Sequence, residues 1–171
     1  STIFVGLRYC LMAFAAIILL SAAPLHPAAD KGKAVPSFFN SKETRSKNLK
    51  PFKKWTSAIK RYNKEDKVKD GKCDAKKMNK CHYAKWMKFL AKIKDKKRLT
   101  QVKAVTKYMN RAKYIVDKNN WGKKDYWASI GQFMARFGDC EDYAIAKYLS
   151  LRKLGFTNEQ VRVVAVKELN L

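Results

Sequence analysis

The stretch "FGDCEDYAIAKYLSLRKLG", Phe137 to Gly155, constrains the fold more tightly than any other part of the chain. Gly138 breaks whatever helix precedes it, and Asp139 is a good N-cap. The run from Cys140 is helical in pattern until Gly155, a residue suited to the position just past a helix end. Ile145, Tyr148, Leu149 and Leu151 supply its buried side. These boundaries put Cys140 at the first helical position. There its sulfur meets unsatisfied N–H groups and the positive end of the helix dipole, which favour thiolate over thiol. A cysteine so placed, its own amide available to help hold an oxyanion, suits nucleophilic acyl transfer. The plainer alternative is a small buried hydrophobe.

Asp139, Glu141 and Asp142 pull against a thiolate, because three carboxylates within four positions repel one another and the sulfur. Two explanations stay open on the residues alone. Asp139 and Asp142 can form a capping-box-like pair while Glu141 favours the helix N-terminus. Alternatively, the oxygen cluster suits a hard cation such as Ca²⁺, although the spacing is not that of an EF-hand.

The N-terminus has a different character. Arg8 precedes an uncharged apolar run, Tyr9 to Leu25, followed by small residues and Asp30. This is the profile of an export signal, and the run is shorter than the roughly 20 residues a spanning helix usually needs. Residues 1–29 are therefore read as a signal peptide, with an uncleaved inner-membrane anchor as the alternative. Residues 30–50, rich in lysine with Gly, Pro and Ser, read as a mobile basic leader, and residues 51–171 as the domain.

Export places the cysteines in an oxidising compartment, periplasmic or secreted. Of Cys10, Cys73, Cys81 and Cys140, the first leaves with the signal. Cys73 and Cys81 on one continuous helix would lie about 12 Å apart along its axis, too far to bridge; a loop between them could close a disulfide. That pairing leaves Cys140 as the odd thiol.

The net charge of +24 is unevenly spread. Lys31 to Lys124 holds 31 Lys and Arg against 7 Asp and Glu, whereas Asp125 to Leu171 holds 6 of each. Either this is a solvated lysine surface, or the first part meets an anionic partner such as nucleic acid, lipid headgroups, envelope polymer or an acidic protein. Lysines outnumber arginines 30 to 8, which argues against specific nucleic-acid recognition through arginine forks.

Helical spacing recurs along the basic part: Phe52, Trp55, Ile59 and Tyr62, with Pro51 at the first position; Tyr83, Trp86, Leu90 and Ile93; Leu99, Val102, Thr106 and Met109. These stripes are core faces. An extended "KYIVD" follows, then a break at Asn119, Asn120 and Gly122, then a short helix ending at Phe137. Trp121, Tyr126 and Trp127 suit a cleft wall or a core corner. His82 is read as a surface or packing residue, since its spacing implies no partner.

"NRAKYIVDKNNWGKKDYWASIGQFMARFGDCEDYAIAKYLSLRKLGF" closely resembles the bacterial transglutaminase-like cysteine peptidases, the family that includes the LapG-type periplasmic proteases. The likeness covers about Leu99 to Leu171, and "GDCEDYAIAKY" with the upstream "DYWA" is its most specific part. The resemblance implies an α+β, papain-like or transglutaminase-like fold, in which a cysteine-bearing helix packs on an antiparallel sheet. It implies that Cys140 is the nucleophile of a calcium-dependent endopeptidase acting on protein substrates such as surface adhesins. It also implies calcium ligands at Asp139 and Glu141, with Asp142 a further candidate, and an inhibitory regulator. The family's general-base histidine and orienting aspartate follow the cysteine on later strands, whereas no histidine follows Cys140 here. The expectation is a truncated domain holding the nucleophile helix and the first strand, Val161 to Val166, inactive or nearly so by itself. A non-catalytic basic envelope- or nucleic-acid-binding protein (pseudoenzyme), and a transglutaminase-like enzyme transferring to amines, are the rival readings.

Overall fold

The computed structural model describes residues 48–65 and 80–164, together with the backbone of two short N-terminal strands. In chain order the elements are β1 (Thr2–Val5), β2 (Ala15–Leu19), α1 (Lys53–Glu65), α2 (Lys80–Ile93), α3 (Arg98–Met109), α4 (Asp117–Trp121), α5 (Ile130–Arg136), α6 (Cys140–Lys153) and β3 (Val161–Val164). The molecule is mostly helical, with one antiparallel sheet in the order β1-β2-β3.

α6 forms as its end signals predict. Asp139 caps it in extended backbone with Asp142 at N3 completing a capping box, acids occupy its first turn and Arg152 and Lys153 its last. Gly155, at φ +86°, turns the chain out of the helix. The sequence predicts one buried side for this helix; instead Asp142 to Lys147 and Leu149 to Leu151 are all buried. The cause is its central position: α3, α5, β2 and β3 all pack against it.

Trp86 and Leu90 of α2, Val102, Val105 and Met109 of α3, and Ile130 and Phe133 of α5 complete the core around Tyr143, Ile145, Leu149 and Leu151. A buried polar tie joins two of these elements, since Trp86 Nε1 donates to Ser150 Oγ at 2.8 Å. Ser150 in turn donates to the Ala146 carbonyl at 2.7 Å.

Several expectations need correction. Pro51 and Phe52 precede α1, and Phe52 is exposed rather than part of the core face. On α3 the buried face is Gln101, Val102, Val105 and Met109; Leu99 is exposed and Thr106 only half-buried. Gln101 is held inside because its amide donates to the Ile93 and Lys94 carbonyls at the end of α2. Asn119 and Asn120 do not break structure but belong to the short α4, which ends at Gly122 with φ +64°.

The strand expected from Val161 is present as β3 and has partners. β3 pairs antiparallel with β2, Ile18 opposite Val161, and β2 pairs with β1. Its partners come from the N-terminal region assigned above to a signal peptide. Among the described residues no helix is long and apolar enough to cross a membrane.

Candidate active site

The site lies where α6 begins. Phe137, at φ +64° and ψ −160°, is a non-glycine residue in a region that glycine favours. Its amide donates to the Phe133 carbonyl at 2.8 Å and its carbonyl accepts from Asn120 Nδ2 at 3.1 Å. This sharp turn delivers Gly138 to a parallel bridge with Tyr114, where Ile115 N–H donates to the Gly138 carbonyl at 2.9 Å. The extended "KYIVD" segment is thereby laid alongside the start of α6. A Cβ on Gly138 would fall 2.0 Å from Asp142 Oδ2, so only glycine lets that carboxylate close over the turn.

Cys140 is the first residue of α6, as the sequence predicts, and is half-buried. The Tyr114 hydroxyl lies 3.5 Å from its sulfur. Burial, then the nearby Asp139 and Glu141 charges, push the Tyr114 pKa up, so the phenol keeps its proton and can donate to a thiolate. Cys81 and Cys140 are each disulfide-bonded and no described cysteine is free, which corrects the expectation of an odd thiol at Cys140. Nucleophilic chemistry at this sulfur requires its reduction first. Cys73 lies outside the described residues, and so does the expected Cys73–Cys81 pairing.

The acids form one cradle. Asp142 is fully buried and accepts from Ala128 N–H at 2.6 Å and Asp139 N–H at 3.4 Å. Asp139 accepts from Asp117 N–H at 3.2 Å, and Asp117 from Tyr126 N–H. Carboxylate oxygens of Asp117, Asp139 and Asp142 lie within 4.8 Å of one another, and the same holds for Asp117, Asp125 and Glu141. Two buried oxygens here, Asp117 Oδ1 and Asp139 Oδ1, have no hydrogen-bond partner.

Crowding shows in the protonation of these groups. Burial first, and neighbouring carboxylates second, push Glu141 up to about 9. Asp142 is pushed up to about 8, with burial again the largest cause, and Asp117 and Asp139 are raised mainly by burial. Carboxylates desolvated and set this close together, with unsatisfied acceptor oxygens, fit a hard oxygen-seeking cation.

The structure thus brings Asp139, Cys140, Glu141 and Asp142 together. It adds Asp117 and Tyr114, which the sequence pattern does not single out, and Asp125, which opens the "DYWA" motif. The available signal is that Asp117 and Tyr114 lie in the extended segment that shares in the family likeness. Asp125 also pairs with Lys54 of α1. His26 lies outside the described residues, and the buried His82 Nε2 on α2 has no hydrogen-bond partner. The dense aromatics prove to be a surface corner clasped by cations, with Arg136 over Trp121 at 4.5 Å and Arg61 over Tyr126 at 4.7 Å. Trp127 packs partly against the core.

A cysteine heading a buried helix, with a protonated phenol at its sulfur, has the form of a thiol acyl-transfer centre. The family model for bacterial transglutaminase-like cysteine proteinase, BTLCP, matches residues 71–170, more than half of the chain, and the chain belongs to that family. No curated protein matches it.

Proposed function

We propose that the chain is an exported cysteine endopeptidase in which reduced Cys140 is the nucleophile. The observation that carries this reading is the placement of Cys140 at the capped N-terminus of α6, within 3.5 Å of the Tyr114 hydroxyl. The Cys140 thiolate adds to a peptide carbonyl, and the tetrahedral adduct collapses to a thioester as the C–N bond breaks and the amine leaves with a proton drawn from water. Water then hydrolyses the thioester, restoring the thiol. Helix N–H groups face the developing oxyanion, and Tyr114 donates toward the reacting sulfur.

Asp117, Asp139, Glu141 and Asp142 are the proposed holders of calcium, supported by their clustering and by the two unpartnered oxygens. When bound, calcium supplies the positive charge that offsets the carboxylates beside the thiolate. The substrate proposed is an extended segment of a surface protein, of the adhesin type implied by the family likeness. An inhibitory partner, a periplasmic or secreted location and a Cys73–Cys81 bridge belong to the same proposal.

Protonation of a leaving amine needs a general acid, and no histidine follows Cys140 in these 171 residues. Activated esters, whose leaving groups need no proton, test the nucleophile separately. The reduced chain in calcium should release p-nitrophenol in a stoichiometric burst and turn over slowly, with added imidazole speeding turnover. Absence of a burst, or an equal burst from Cys140→Ser, would rule out the assigned nucleophile.

A further inference from the structure

A groove between α2 and α3 is lined by Lys85, Lys88 and Lys92 on one side and by Lys107 and Arg111 on the other, enclosing about 500 Å³. Among the described residues no carboxylate lines it. The ion pair present among those residues is Lys54–Asp125, so none of them neutralises these five cations. The groove is also walled by Phe89 and Tyr108, whose rings stack 3.8 Å apart at 6°.

Tyr108 and Arg111 also line a second, more apolar cavity of about 210 Å³, completed by Met109, Ala112, Phe133, Met134 and Phe137. Phe137 is three residues before Cys140, and Tyr143 links the two places, its hydroxyl donating to the Ala112 carbonyl at 2.6 Å. Groove and cavity thus adjoin at Tyr108 and Arg111 and together mark a track whose far end, Phe137, belongs to the turn that presents the cysteine.

We infer that this track is an exosite for an extended acidic peptide segment, with Asp or Glu side chains in the α2–α3 groove and an apolar side chain in the cavity beside Phe137. The inference rests on the peptidase reading and names its substrate class. Charge complementarity selects an anionic occupant. An apolar cavity sized for a side chain, and lysines where phosphate recognition favours arginine forks, select a peptide over a nucleic acid.

The test uses the full chain carrying Cys140→Ser, so that binding is read without cleavage. Fluorescence anisotropy measures a labelled peptide with an Asp/Glu run followed by Leu, against its Asn/Gln counterpart, a single-stranded oligonucleotide and anionic phosphatidylglycerol vesicles. The acidic peptide should bind and the amide peptide should not. Lys88→Glu with Lys92→Glu should weaken binding about tenfold, consistent with a few exposed charge pairs. The same reversal at the exposed Lys60 and Lys64 of α1 should leave it within about twofold. Equal losses from both reversals, no loss from either, or groove-dependent binding of oligonucleotide or vesicles in place of peptide would overturn the inference. Peptide binding that persists while the ester burst fails would sink the peptidase reading and leave the groove standing.

Discussion

Lys147 offers the sharpest test of how α6 is packed. It is 3% exposed on the central helix, and its ammonium has a ring for company, Tyr143 at 5.9 Å. Burial lowers its pKa from 10.5 to about 8. A native ammonium that gives up its proton before the unfolded chain does depresses stability at every pH below about 8. That penalty shrinks as pH rises toward the unfolded value and is gone above it. A fall of this size corresponds to about 3 kcal/mol, of which about 1 is offset by the ring contact. Lys147→Met keeps the length of the side chain and removes the charge, so it should stabilise the protein by about 2 kcal/mol at pH 7. Urea unfolding at pH 7, 9 and 10.5, with Tyr143 protonated throughout because its pKa is pushed up to about 12, should show the gain shrinking to nothing. A variant less stable than the parent at pH 7, or a gain that does not change with pH, would refute the burial argument.

Other consequences follow from single contacts. Gly138→Ala drives a methyl into the Asp142 carboxylate and should cost about 1–3 kcal/mol in urea unfolding while weakening any calcium-induced rise in melting temperature. Asp117→Asn should act in opposite directions: higher melting temperature in chelator, because a buried acid with an unpartnered oxygen is relieved, and a smaller calcium response, both read by differential scanning fluorimetry. Trp86→Phe leaves Ser150 without its donor and should lose about 1–3 kcal/mol, whereas Trp86→Phe with Ser150→Ala should recover part of it in a double-mutant cycle.

Local rules suffice where both ends of an element are marked in the sequence. Asp139, Asp142 and Gly155 announce α6, and the position of Cys140 follows from them. The stripe on α2 is legible because Tyr83, Trp86 and Leu90 are large and apolar, recur at helical spacing and are all buried. On α3 the same reasoning misplaces the face, since Gln101 is buried to satisfy carbonyls at the end of α2 and no apolar pattern reveals that. Likewise Glu65, at the end of α1, is buried because its carboxylate accepts from Ser129 and from Gly131 N–H at the start of α5. Of the acid cradle, the three members adjacent in sequence are visible. Asp117 and Tyr114 are not, because a parallel bridge between Tyr114 and Gly138 brings their segment in from far along the chain. The pairing of β3 with β2 escapes for the same reason: strand partners distant in sequence leave no local trace.

Cys140, once reduced, is proposed as an activated nucleophile whose acid cradle calcium neutralises. The direct measurement is the rate of iodoacetamide alkylation of Cys140 in the reduced chain, resolved from Cys81 by peptide mass spectrometry, across pH in calcium and in chelator. In calcium Cys140 should react faster than Cys81 at pH 7, with a midpoint below the ordinary thiol value of about 8.5, and chelation should slow it. A Cys140 that titrates like an ordinary thiol with or without calcium would contradict that role.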